Sequence, residues 1–266
     1  MLILLQQAAL LLGTTLGAVT DAKTGYIYDW ITIPMIIIGL LISIILQQWN
    51  NLIIGVGLFF ILYLVYKLGK LGGGDVKLFV GIALLNPYND FVFLATIMLF
   101  AAMSSMVFYS VYYGIKYFRK GINLEENKKS IFRAIILGAI VIVYFYSLTT
   151  MGFLSTLSAE IVIIPMLFGL VFIAFQNGIT KNFFEAKVLM KNLEEDEVIA
   201  PERNLAKVIK LLKGKQLIGP NEIKLLKKAG IKSIYVLRKL PPFGPFILVG
   251  VLGAILQPNF IMLIFI

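Results

Sequence analysis

Apolar positions run along this chain in long unbroken blocks separated by short polar breaks. Eight such runs fall at about 2–20, 31–47, 51–67, 75–86, 91–115, 133–152, 157–177 and 243–264. Most have the roughly 17–25 residues that carry a helix across a hydrocarbon core of about 30 Å. They are continuous and do not alternate, which disfavours a membrane β-barrel. The fourth run, about 12 residues long, is short for a full span. It is expected to be tilted, lengthened by its glycine-rich approach, or sheltered by neighbours. The expected fold class is an all-α polytopic membrane protein of about 6–8 transmembrane helices, with a small α/β-type soluble domain before the last helix.

That soluble domain is placed by a change of character over 178–240, where apolar runs give way to mixed polar sequence. Asn221 is a candidate cap for a helix over 222–229 with Gly230 as its stop, and 231–237 reads as a strand. Pro241, Pro242 and Pro245 mark the return to the membrane. The expected division is a transmembrane core over 1–177, a small domain over 178–240 and a C-terminal transmembrane helix in 241–266.

Charge orients these elements. With eight spans and the N-terminus outside, all 24 basic residues fall on one side. The breaks near 48–50, 86–90 and 152–158 contain no Lys or Arg. By the positive-inside rule the basic side is cytoplasmic. The chain is therefore expected in the cell membrane as a multi-pass protein. The first run lacks a basic leader and a cleavage site, and reads as a retained helix. Residues 178–240 hold 14 basic and 7 acidic residues, a balance of +7 against +10 for the whole chain. Anionic lipid headgroups are the expected partner of that excess; no nucleic-acid partner is expected.

Composition narrows the chemistry. The chain is 59% hydrophobic and only 14% charged, against about 25% charged in ordinary soluble domains. It has no cysteine and no histidine. Disulfides, thiolate catalysis, cysteine zinc sites and Ser-His-Asp triads are excluded. No metal or other cofactor is expected. Acid–base work is left to Asp, Glu, Lys and Tyr.

Few carboxylates lie near the membrane. Asp90 and Glu160 fall on the outer side and need no function. Asp75 opens the fourth run behind Gly72, Gly73 and Gly74. It has a plain structural reading as the helix N-cap, but a cap requires no glycines, and carboxylates at membrane depth are usually functional. Asp21 ends the first run, where the helix dipole disfavours an anion. Both lie on the inner face. Two carboxylates close together in a partly desolvated site tend to share one proton. The ionised one can activate water, and the protonated one can polarise a peptide carbonyl and protonate the leaving amine. The glycine backbone before Asp75 offers hydrogen-bonding groups to an extended substrate.

The stretch Gly72-x-Gly74-Asp75-x-Lys77-Leu78 resembles the GxGD signature of the type IV prepilin peptidases, a family of membrane aspartic proteases. Upstream, Thr20-Asp21-Ala22-Lys23 followed by Gly25-Tyr26-Ile27-Tyr28-Asp29 is similar to the family's first motif, with Tyr28 where bacterial members usually carry proline. The resemblance covers roughly residues 1–115. It implies that Asp21 and Asp75 are the catalytic dyad, acting at the cytoplasmic face. It also implies substrate-binding roles for Gly72, Gly73, Gly74, Lys77 and Asp29. The substrates implied are archaellin (preflagellin) or type IV pilin-like precursors, which lose a short basic leader. The chain lacks the cysteine-rich segment of many bacterial members, so methyltransferase activity is not expected. That absence resembles the archaeal preflagellin peptidase branch, as does the last-helix approach Pro242-Phe243-Gly244-Pro245-Phe246. The alternatives are a presenilin-like intramembrane protease and a proton- or cation-coupled transporter using the same aspartates.

Overall fold

The computed structural model describes residues 2–264 apart from 196, 201, 202, 205, 213, 214 and 239. Lys213 and Lys239, two of the basic residues assigned above to the inner side, lie outside the described residues. From the N-terminus come helices α1 (Leu2–Thr24), α2 (Asp29–Ile45), α3 (Trp49–Lys67), α4 (Gly73–Leu84), α5 (Phe91–Lys120), α6 (Leu124–Thr150) and α7 (Thr156–Ala174). Of these, α1, α3, α5, α6 and α7 are long and apolar enough to cross a membrane. Their outward faces carry exposed apolar side chains such as Ile135, Ile140 and Val143 on α6, as lipid demands of a spanning helix. The protein is an all-α polytopic membrane protein.

The short fourth run is sheltered. In α4 every residue from Leu78 to Leu84 is buried, with α2 and α3 packed on it and α1 alongside. Glycines permit that close approach. A Cβ added at Gly39 of α2 would lie 2.7 Å from the Leu84 Cβ, and one at Gly55 of α3 would lie 2.9 Å from its Cδ2. A helix ending inside the protein leaves carbonyls that lipid cannot satisfy. Here Ser43 Oγ donates to the Leu84 carbonyl at 2.9 Å, and Gln6 and Asn51 side-chain amides donate to the Asn86 carbonyl at 3.0 and 2.8 Å.

After a short helix α8 (Gln176–Ile179) and one π-helical turn over Thr180–Phe184, the chain leaves the bundle. Strands β1 (Glu185–Leu189) and β2 (Val198–Ile199) precede helices α9 (Ala206–Leu211) and α10 (Pro220–Lys228), and β3 (Ser233–Leu237) follows. The sheet is antiparallel in the order β1-β3-β2, with Glu185 opposite Leu237. Val188, Ile218, Leu226, Ile234 and Val236 form its own apolar core. The helix expected over 222–229 is α10, but its cap is Gly219 and not Asn221. Glu222 reaches back to the Gly219 N–H at 3.2 Å, and Pro220 takes the first helical position, where a missing N–H costs nothing. Gly230, at φ +72°, follows as the expected stop.

The last apolar run is two helices, not one span over 243–264: α11 (Gly244–Leu256) and α12 (Phe260–Ile264). Pro258 lies in the break between them, and proline lacks the N–H that a continuous helix would need. Thr96 Oγ1 donates to its carbonyl at 3.0 Å. α11 packs between α1 and α5, and Ile247, Val251 and Ala254 on it are fully buried.

Candidate functional site

Asp21 stands in the last turn of α1 and is buried. Gly25, at φ +75°, ends that helix, and its N–H bonds back to the Asp21 carbonyl at 2.8 Å. Positive φ there favours glycine, a common helix terminator. One turn before Asp21, α1 rests on Leu78 of α4 at Gly17, where an added Cβ would stand in ordinary contact with the Leu78 methyls at 3.5 Å. This contact sets the end of α1 beside the start of α4.

Asp75 lies in the first turn of α4, and the N-cap is Gly72. The cap reading thus needs a correction: Asp75 sits three residues inside, and its carboxylate accepts the Gly72 N–H. That is the carboxylate half of a capping box, since glycine brings no side chain to return the bond. The other carboxylate oxygen, Oδ1, is fully buried and has no hydrogen-bond partner among the described residues. A buried acceptor left unpaired is costly and calls for an explanation. The Asp21 and Asp75 carboxylates are close enough to act on one another electrostatically.

The three glycines meet different surroundings. Gly72 is exposed. Gly73 backs onto the Tyr66 ring, 3.5 Å from where its Cβ would stand. Gly74 lies against the chain's own 25–28 loop, where an added Cβ would be 2.8 Å from the Ile27 carbonyl oxygen. Asp29, at the start of α2, and Lys77 of α4 pair with each other at 2.5 Å on the exposed rim. Among the described residues no group of three or more Asp, Glu, His or Cys stands together as a metal site.

A partner of Asp21 comes from the far end of the chain. The Gly244 N–H, at the start of α11, donates to Asp21 Oδ2 at 2.6 Å. Sequence reading set Asp21 against the unfavourable end of its own helix dipole; the N-terminus of α11 supplies the opposite dipole and a donor. Tyr109 of α5 donates its hydroxyl to the Pro242 carbonyl, two residues before Gly244. Neither residue was a candidate from sequence. The one available signal was Gly244-Pro245 behind Pro242, a helix start rich in proline.

Residues 8–115 match the model of the type IV leader peptidase family. No curated protein and no solved structure matches the chain. The stretch similar to the type IV leader peptidases carries Asp21, Asp29, the three glycines, Asp75, Lys77 and Tyr109. It excludes α11 and Gly244. Over that stretch the similarity is to a peptidase family, and Asp21 and Asp75 both lie within it.

Proposed function

We propose that this protein is a membrane aspartic endopeptidase that removes the leader from pilin-type precursors, with Asp21 and Asp75 as its catalytic pair. The observation that carries the reading is that the two carboxylates lie at the adjoining ends of α1 and α4 within electrostatic reach of each other, one oxygen of Asp75 buried and unpartnered. The match of 8–115 to the type IV leader peptidases supports the reaction class. One carboxylate takes a proton from water as the water oxygen adds to the scissile carbonyl carbon. The other, protonated, gives its proton to the carbonyl oxygen. Collapse of the tetrahedral intermediate breaks the C–N bond, and the amine leaves with a proton from one carboxyl group. One hydroxyl of the intermediate returns its proton to the other as the new carboxyl group forms, so the pair again holds one proton. Neither aspartate is assigned permanently to one role, because such a pair titrates as a unit.

The substrates proposed are archaellin or type IV pilin-like precursors, cut at the cytoplasmic face of the cell membrane. The one-sided distribution of basic residues supports that sidedness. The exposed backbone at Gly72 is the proposed contact for extended substrate, with Asp29 and Lys77 at its rim. We assign 1–177 to the peptidase core and 241–266 to a C-terminal segment whose two helices, α11 and α12, pack on it. Residues 178–240 form a basic unit against anionic headgroups. That unit also touches the loop leading to Asp75: Gly69 stands where an added Cβ would lie 3.3 Å from Val198 Cγ2 of β2.

Membranes bearing wild type, Asp21→Asn or Asp75→Asn, incubated with archaellin and pilin precursors, test the reading. Wild type is expected to cleave at least one precursor and each Asn variant to fall to background. Cleavage retained in either variant would sink the dyad. Ion flux in liposomes without cleavage would point to a transporter instead.

A further inference from the structure

We infer that the approach to α11, held by Tyr109, is a positioning clamp on Asp21, so that the catalytic site is completed by a helix outside the stretch similar to the leader peptidases. The inference rests on the peptidase reading above. Its starting point is an electrostatic problem. Asp21 sits in the last turn of α1, where unpaired carbonyls repel a carboxylate. α11 begins beside it and supplies the Gly244 N–H to Oδ2 at 2.6 Å. A bond from a backbone amide to a carboxylate is short and strong by the standard of neutral pairs. It engages a named oxygen and so fixes the rotation of the carboxyl group.

The clamp depends on a glycine. A Cβ at position 244 would stand 3.0 Å from both Cβ and Oδ2 of Asp21, and 3.3 Å from the Ala18 Cα. A side chain there would therefore be tight against α1, and Asp21 or α11 must give by a few tenths of an ångström to admit it. The donor is also rigidly placed, since Ile247 and Val251, one and two turns further along α11, are fully buried.

Tyr109 anchors the approach from the other side. Its hydroxyl donates to the Pro242 carbonyl, and its ring meets Phe246 edge-on at 5.0 Å between centroids. The hydroxyl also lies within electrostatic reach of Asp21. Asp21 is thus set by its own helix, by α11 directly and by α5 through Tyr109. Tyr109 and Gly244 act through Asp21; they are positioning residues.

Steady-state cleavage of a purified pilin-type precursor by the full-length protein in detergent tests this, with thermal unfolding measured alongside. Tyr109→Phe keeps the ring and removes the bond to Pro242. It is expected to lower kcat about tenfold, the scale of a small misplacement of a reacting group, with KM within about twofold and unfolding temperature unchanged. Gly244→Ala is expected to lower kcat further, about a hundredfold. Wild-type kcat in Tyr109→Phe would overturn the clamp, as would a loss that appears equally in KM or only with lowered unfolding temperature. Tyr109→Phe carries the test if Gly244→Ala fails to fold. Asp21→Asn run in parallel separates the two readings. If it is inactive while Tyr109→Phe is normal, the clamp alone falls. If it cleaves, the dyad falls and the clamp falls with it.

Discussion

Gly74 and Gly72 differ in what a methyl group would strike. At Gly74 it would meet backbone, the Ile27 carbonyl oxygen at 2.8 Å, and backbone of a packed loop cannot swing aside. At Gly72 it would meet the Asp75 carboxylate, with Oδ2 at 2.9 Å, and a side chain can rotate. Gly74→Ala should therefore cost about 1–3 kcal/mol of stability, the range for overpacking. Gly72→Ala should unfold near the wild-type temperature yet cleave precursor more slowly, because the carboxylate it displaces is Asp75. Thermal unfolding and cleavage assays on both variants check the contrast; wild-type cleavage by Gly72→Ala would remove that glycine from the site. The Asp29–Lys77 pair is a different case. Its side chains are 57% and 41% exposed, so water screens it, and such pairs contribute no more than about 1 kcal/mol. Asp29→Asn is expected to keep substantial cleavage and to change stability by less than that. Abolished cleavage would show that this rim carboxylate has a larger part in substrate binding.

At the scale of elements, α4 is the piece on which the site depends, because Asp75 moves with it. Leu84 locks its far end, 3% exposed and pressed by Gly39 and Gly55. Truncation there opens a cavity between three helices, so Leu84→Ala should lose about 2–5 kcal/mol, seen as a lowered unfolding temperature in detergent. An unchanged temperature would mean that α2 and α3 do not grip α4 as described. The apolar runs for α1 to α7 were legible because lipid requires long unbroken stretches of helix. Asp21 and Asp75 were legible because carboxylates are rare at such depths. The break at Pro258 was not, although Gln257 and Asn259 flank the proline, because the combined length of the apolar stretches beyond them matched a single span. Gly244 was not either: it is a backbone donor 223 residues from Asp21, and no local pattern encodes a partner that only packing brings near.

For the molecule as a whole, function turns on which side of the membrane the two aspartates face. Asp21 at the end of α1 and Asp75 at the start of α4 share one end of the bundle, while the loop after α6 lies at the other. Every basic residue assigned to a loop falls on the aspartate side, the distribution on which the proposed cytoplasmic sidedness rests. Because the chain has no cysteine, single cysteines report sidedness without background. Lys23, exposed two residues past Asp21, and Met151, 70% exposed in the loop after α6, bracket the bundle. A membrane-impermeant maleimide added to intact cells should label Met151→Cys and spare Lys23→Cys until the membrane is permeabilised. The reverse pattern would put both aspartates outside, where precursors still carrying a cytoplasmic leader could not reach them. The proposed substrate would then have to be abandoned even if both aspartates proved essential for cleavage in detergent.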